Sequence, residues 1–454
     1  MKLEAAVERQ RSFLATTFLF PFHDRMKNPI TRRDFLKRAS AGGIGLVTLG
    51  TAGAFRAAAG PNDKIVLGIM GCNGRGMAHI AEHLAVPNVE IAYVCDVDNR
   101  AVEKGVAAVA KKQPRQPQGV KDFRRMLEDK SVDAISIATP DHWHAPATIL
   151  ACAAGKHVYV EKPGSHNPHE SELMVAAARQ HKRVVQMGNQ RRSWPYVIDA
   201  IKAVHSGEIG RVFFARAWYT NGRGSIGRGK PAPVPEWLDY TLWQGPAPER
   251  EFRDNLIHYN WHWFWHWGTG ELGNNGVHAL DLARWGLEVD LPRRVTCGGN
   301  RYHFQDDWET PDLYVITFDY GDKAIVWEGQ SCDPRGFEGA GFGVNFHGEK
   351  GTMVMAGDGG GIYDLSNKLV RDITGKRGDT LHFVNFADGI RQGKKLHSEI
   401  EDGQKSTMLC HFGNIAWRAG HTINYDAKAG KIVGDREVAN LWRREYRKGW
   451  EPKV

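Results

Sequence analysis

The chain has 454 residues, 25% of them charged and 42% apolar, a balance that suits an ordinary globular protein of two domains and excludes a disordered or polytopic membrane chain. The net charge of +8 is local: residues 1–59 hold ten Lys/Arg against four Asp/Glu, so only +2 is left for residues 60–454. With no basic run after residue 59, nucleic acid is not an expected partner. Six scattered cysteines without a C-x-x-C pair spell neither a zinc site nor a disulfide framework, and free, mostly buried thiols are expected.

The first element is a leader. In "TRRDFLKRASAGGIGLVTLGTAGAFRAAAG" the pair Arg32-Arg33 precedes Phe35-Leu36-Lys37, a weakly apolar Gly/Ala-rich stretch to about Ala54, and a small-residue exit at Ala57-Ala58-Ala59. The stretch is short for a bilayer span. It resembles a twin-arginine export signal; a basic surface arm is the alternative. The resemblance implies export of the folded chain to the periplasm, with the mature protein starting near Gly60 and no membrane span remaining. A retained leader would instead anchor the protein, and Met26 offers a second possible start. Outside the cytoplasm a cofactor is not replenished, so it must stay tightly held.

Residues 60–190 read as a nucleotide-binding domain. "KIVLGIMGCNGRGMAHIAEHLA" is an apolar strand, a glycine turn and a helix-like pattern, and "VEIAYVCDVD" is the next strand. Such a turn brings backbone close to a pyrophosphate and aims a helix N-terminus at it. Gly71, Asn73 and Gly76 occupy the G-x-G-x-x-G positions, with Gly74 and Arg75 between; asparagine tolerates the middle place because it enters left-handed backbone regions readily. Asp96, ending the second strand, is placed to accept from a ribose 2′-OH and to repel a 2′-phosphate, so NAD is expected rather than NADP. The βα rhythm continues through "VDAISIATP", "HAPATILACAAGK", "HVYVEKP", "HESELMVAAARQHK" and "RVVQMGN". This predicts a doubly wound parallel sheet whose ligand edge carries Thr139, Pro140, Glu161, Lys162 and Asn189 as cofactor contacts.

At "ATPDHWHAPATILACAAGKHVYVEKPGS" the chain resembles the glucose–fructose oxidoreductase / inositol dehydrogenase (Gfo/Idh/MocA) family, and the resemblance runs from Lys64 to the end. It implies an α/β architecture: an N-terminal Rossmann domain and, over residues 191–454, a C-terminal α/β domain with a large, mostly antiparallel sheet. That sheet often lines a subunit contact in the family, so a homo-oligomer is expected. The Glu161-Lys162-Pro163 signature implies that Lys162 reaches the reacting oxygen, and partial burial would lower its pKa towards the working range. His144 reads as a substrate contact beside it. A surface lysine paired with Glu161 is the bland alternative.

In the second domain "GNNGVHALDLARW" matches the family's other catalytic segment. His278, Asp281 and Trp285 share one helix face, and His278 corresponds to the proton acceptor. Many dehydrogenases of the family carry aspartate where this chain has Asn274. The amide can still bond a substrate hydroxyl, but no carboxylate raises the His278 pKa. Strands are expected at "GRVFFARAWYT", "PDLYVITFDY", "KAIVWEGQS" and "GFGVNFHGEKGTMVMAG", where alternation fits a sheet with one covered face. Residues 221–237, rich in Gly and Pro, are a lid or a surface excursion.

The stretch "HYNWHWFWHW" places His258, His262 and His266 four residues apart, a spacing that shares one side in either a strand or a helix. A metal site, an aromatic structural cluster and a sugar-facing wall all remain open, the last favoured because the segment leads into Asn274 and His278; no resident metal is expected. Trp261, His262 and Trp265 are the candidate substrate contacts, with Asn274 and Asp281. The chain then reads as an NAD-dependent oxidoreductase of a sugar, glycoside or cyclitol. An NAD-dependent glycoside hydrolase using transient oxidation and elimination is the alternative, and a non-catalytic sugar-binding relative is a third.

Overall fold

The computed structural model describes residues 64–434 and 436–454; the expected leader and its cleavage point lie outside the described residues. Six strands build the first sheet: Ile65–Met70 (β1), Val89–Cys95 (β2), Gln118–Val120 (β3), Ala134–Ile137 (β4), His157–Val160 (β5) and Val185–Met187 (β6), in the order β3-β2-β1-β4-β5-β6 and all parallel. Parallel strands have both faces covered, and β4 is accordingly buried at every residue. Local chemistry starts the crossover helices: the Asp98 carboxylate accepts from the Arg100 N–H at 2.9 Å ahead of Asn99–Ala110, and Asn167 accepts from the Glu170 N–H at 3.1 Å ahead of Pro168–Gln180. All six cysteines are free, four of them buried.

The second sheet adds Val212–Gly222 (β7), Arg294–Asn300 (β8), Leu313–Asp319 (β9), Ala324–Gln330 (β10), Cys332–Asp333 (β11), Phe342–Gly348 (β12), Gly351–Ala356 (β13), Gly359–Asp364 (β14), Leu369–Thr374 (β15), Ile423–Asp426 (β16) and Lys431–Ile432 (β17). The order is β15-β14-β13-β12-β7-β10-β9-β8-β16-β17, with β11 paired to β7; only the β10–β7 pair is parallel. The alternation along β9 works as expected at its centre: Tyr314, Ile316 and Phe318 are buried while Val315 is exposed. "GFGVNFHGEKGTMVMAG" is not one strand but two, because Glu349-Lys350 turns the chain between β12 and β13. The tail segment around residue 425, without visible periodicity, supplies β16 and β17.

Helices Pro195–His205, Val277–Leu287 and Ile400–Ala419 cover one face of this sheet and share its core with Ala215, Phe346 and Trp327. Helix Asp379–Gln392 does something a boundary at residue 190 does not foresee. Its Phe383 and Phe386 pack among Ile69, Ile91 and Tyr159 of the first sheet, with Phe383 stacked on Tyr159 at 4.5 Å. Burying two phenylalanines there contributes roughly 3–6 kcal/mol to holding the halves together. A satellite aromatic cluster, including Tyr240, Trp243, Phe264 and Trp267, lies under the loops of residues 238–267. Among the described residues no helix is long and apolar enough to cross a membrane.

Candidate active site

The site begins at the glycine turn between β1 and helix Arg75–Leu84. Gly71 has φ +85°, where a side chain would be strained, and a Cβ on Gly76 would sit 1.7 Å from the Gly71 carbonyl oxygen. The close turn therefore depends on glycine at both places, while Asn73, Gly74 and Arg75 line the cleft with Gly71. Asp96, at the end of β2, accepts from the Cys72 N–H at 2.7 Å and the Asp98 N–H at 3.0 Å and faces the same cleft; burial raises its pKa against those two bonds.

Several polar atoms at this edge are buried without a partner: the Thr139 hydroxyl, both amide atoms of Asn189 and Nη2 of Arg75. Groups like these cost free energy unless something pairs with them. The glycine turn with Asn73, Gly74 and Arg75, together with Asp96 and Thr139-Pro140, fits a dinucleotide laid along the strands' C-terminal edge, whereas Asn189, expected as a cofactor contact, is buried behind the residues that line this cleft. Glu161 is 3% exposed and accepts from Arg75 Nε at 2.7 Å, Gln190 Nε2 at 2.7 Å and His79 Nε2 at 2.9 Å. Burial pushes its pKa up, but the Arg75 charge and the His79 bond outweigh it and hold the carboxyl well below its usual range.

Lys162 follows β5 and does not pair with the Glu161 carboxylate. Its ammonium crosses to the other half and donates to the Asn274 carbonyl at 2.6 Å and to Asn274 Oδ1 at 3.2 Å. Burial lowers its pKa, with Glu161 and Asp141 opposing. Asn274 sits in a π-helical turn, Leu272–Gly276, that runs directly into the helix Val277–Leu287 bearing His278. His278 Nδ1 is buried without a partner, and burial, then the Lys162 and Arg191 charges, push the imidazole well below its ordinary pKa. These effects favour the neutral ring.

The other expected contacts separate. Trp261 and His262 line the cleft, stacked on each other at 3.6 Å, and burial takes His262 down to about 3. Trp265 does not belong to this wall: its ring lies against Trp417 and under Arg418, and the expectation of a substrate contact is corrected. Asp281 is corrected likewise. It is 1% exposed and saturated by Arg192 at 2.7 and 2.8 Å and the Ser406 hydroxyl at 2.6 Å, which leaves nothing for a sugar. His144 lines the cleft, yet its two ring nitrogens face the Pro163 and Thr139 carbonyls at 2.6 and 2.8 Å, so it clips the two cofactor-edge turns together.

The three histidines of the aromatic stretch go separate ways: His258 to Asp98 at 2.9 Å, His262 to the Tyr259 carbonyl at 2.6 Å and His266 to the Pro248 carbonyl at 2.8 Å. Among the described residues no group of three potential ligands gathers for a metal. Two site features had no local signal. Arg223, inside the Gly/Pro loop, forms a buried ion pair with Glu271 and donates to the Tyr259 hydroxyl at 2.9 Å, so this loop is tied to the cleft wall. Tyr259 and His258 themselves line the cleft.

Comparison with known proteins places both halves. Residues 65–189 match the family model described as oxidoreductase family, NAD-binding Rossmann fold, and residues 175–452 match the family's C-terminal alpha/beta domain. A glycosyl hydrolase family 109 protein of Saccharopolyspora erythraea is 31% identical over 212 residues, 42% of this chain and 46% of that protein. Another of that name, from Parabacteroides distasonis, is 26% identical over 365 residues, 72% of this chain and 76% of its own length. The chain thus spans about half the length of several curated relatives it matches. Among solved structures, the WlbA dehydrogenase of Bordetella pertussis in complex with NADH and UDP-GlcNAcA superposes with a TM-score of 0.62 at 21% identity, covering 80% of this chain and 99% of that one.

Proposed function

Since this chain belongs to the Gfo/Idh/MocA oxidoreductase family, whose Rossmann domain binds NAD, we propose that it is an NAD-dependent enzyme moving hydride at a carbinol carbon of a sugar, glycoside or cyclitol. The observation that carries the reading is the Lys162 ammonium, brought across the cleft to Asn274 in the turn that runs into the His278 helix, where the His278 Nδ1 has no partner. NAD, when bound, supplies the hydride acceptor. The chain supplies the rest. Lys162 donates a hydrogen bond to the reacting oxygen in place of one of its Asn274 contacts, stabilising charge that develops there. His278 takes the hydroxyl proton on oxidation and returns it on reduction. Trp261 offers a flat apolar face to pyranose C–H groups, and Asn274 bonds a neighbouring hydroxyl.

A second reading is net hydrolysis by transient oxidation, elimination, water addition and re-reduction. The relatives named glycosyl hydrolase family 109 and the carboxamide at Asn274 favour it. We also propose that the mature protein works in the periplasm with its NAD retained, on the strength of the Arg32-Arg33 leader. Self-association through the helix-free face of the second sheet, where Val315 stands 42% exposed, completes the proposal.

The experiment is to purify the mature protein, assay co-purifying nucleotide, and follow nicotinamide absorbance and product mass across a glycoside panel. A ketosugar with accumulating reduced cofactor supports the dehydrogenase; free sugar with no net cofactor change supports the hydrolase. No bound nucleotide and no turnover would sink both.

A further inference from the structure

Several arginines around the core are paired with carboxylates: the buried Arg192 with Asp281 and Asp402 and Arg284 with Asp402, and the half-buried Arg223 with Glu271, Arg444 with Glu170 and Arg75 with Glu161. Arg191 is different. Its guanidinium is clamped between two aromatic rings, 3.7 Å from the Phe342 centroid and 4.5 Å from that of Trp194. Among the described residues its polar neighbour is the Tyr196 phenol, and no carboxylate comes within ion-pairing distance. The two nearest are occupied: Asp358 binds Arg377 at 2.7 Å, and Asp379 accepts from the Trp194 indole N–H at 2.8 Å and lies 3.7 Å from Arg75. Burial accordingly lowers the Arg191 pKa, the reverse of its neighbour Arg192.

A half-buried cation without an anion keeps its capacity to pair with one, and aromatic faces satisfy only part of that capacity. They do fix the plane of the fork, leaving its N–H edge for a planar or tetrahedral oxyanion. The place is also informative. Arg191 lies in the turn Gln190–Ser193, between Gln190, which bonds Glu161, and Arg192, which binds Asp281 on the helix that bears His278. Asn189, at the head of the same turn, is 1% exposed with both amide atoms unpartnered.

We propose that Arg191 is the recognition point for an anionic group on the substrate, a carboxylate or sulfate ester carried by the sugar, beside His278. This rests on the sugar-oxidoreductase reading and narrows its substrate class to acidic sugars. A charge-assisted, two-pronged contact favours the anionic member of a matched pair on the order of tenfold to a hundredfold.

The test is calorimetric titration of the NAD-loaded mature protein with methyl glucoside against methyl glucuronide, methyl galactoside against methyl galacturonide, galactose against galactose 6-sulfate, and glutarate as a non-sugar carboxylate. The expected result is tighter binding of the acidic members, with the acidic-to-neutral ratio falling towards one in Arg191→Met and part way in Arg191→Lys. The uronide and sulfate arms tell which oxyanion is meant. Equal binding of neutral and acidic members by the unaltered protein, or a preference that survives in Arg191→Met, overturns the proposal. Neutral glycosides oxidised without any charge preference would keep the sugar reading and remove the anion site. Arg191-dependent glutarate binding with no sugar bound would do the reverse. Retained NAD and an unchanged melting temperature certify each variant's fold, and if Arg191→Met does not fold, the same ratio in Arg191→Lys decides.

Discussion

The Lys162 ammonium donates to two oxygens of a single residue, the Asn274 carbonyl at 2.6 Å and Asn274 Oδ1 at 3.2 Å, across 112 positions of sequence. The contact joins the two halves across the cleft that both residues line. Because the partner is an amide, no charge at position 274 counteracts the burial that lowers Lys162 and His278.

Replacing Asn274 by aspartate adds a negative charge beside both groups. It favours the ammonium and the imidazolium, so both pKa values rise, by about one unit or more. The pH–rate profile of Asn274→Asp should move to higher pH on the limb set by neutral His278. A profile superimposable on that of the unaltered enzyme would remove His278 from the proton path.

Residues 237–258 are stitched to the loop that follows Asp96, which lines the cleft. The Asn99 N–H donates to the Trp237 carbonyl at 3.0 Å, the Asp239 N–H to the Val97 carbonyl at 2.9 Å, and His258 Nε2 to Asp98 at 2.9 Å. Arg100 lies 3.6 Å over the Trp237 ring. His258→Ala should speed NAD release on the order of tenfold, the worth of one charge-assisted bond. The fluorescence decay of released NADH checks this, and an unchanged release rate would mean the strap does not retain the cofactor.

Asp281 holds Arg192 and Ser406 together behind the catalytic helix, not in the substrate wall. Asp281→Ala leaves the buried Arg192 guanidinium with Asp402 as its only carboxylate and two of its N–H groups unpaired, and should cost about 2–3 kcal/mol of stability. Urea unfolding measures that loss. The folded fraction, assayed at low temperature, should keep its KM; a raised KM at unchanged stability would return Asp281 to the substrate.

His382 and His411 are buried and each is pushed to about 3 by burial. The unfolded chain binds their protons near pH 6.5 while the folded chain does not. Stability is therefore full above about pH 6.5 and falls as the pH drops from there towards the folded values, by about 1.4 kcal/mol per unit for each histidine. Urea midpoints between pH 8 and 5 should decline accordingly, and the double variant His382→Gln/His411→Gln should flatten the slope.

How much of this was legible varies with the range of the contacts involved. The glycine turn, Asp96 and the Glu161-Lys162-Pro163 signature could be read directly, because strand, turn and helix follow one another locally. The repeat of His258, His262 and His266 misled in a physical way. A spacing of four suits strand and helix alike, and the chain instead takes a short 3-10 turn at Asn260–Trp263 that sends each ring elsewhere. Arg223 with Glu271, Phe383 with Tyr159, and the unpaired state of Arg191 arise only on folding, from segments with no local pattern in common. Asp281 and Trp265 had the right spacing, but nothing in a sequence shows that another side chain has already taken a carboxylate or a ring.

If Lys162 acts on the reacting oxygen, the cofactor is held by other residues and stays bound without it. Lys162→Ala, purified as the mature protein and offered the glycoside panel, tests this most directly through nucleotide content and nicotinamide absorbance in one sample. A full complement of bound NAD with no absorbance of reduced nicotinamide is the expected result; normal reduction in Lys162→Ala would take Lys162 out of the chemistry.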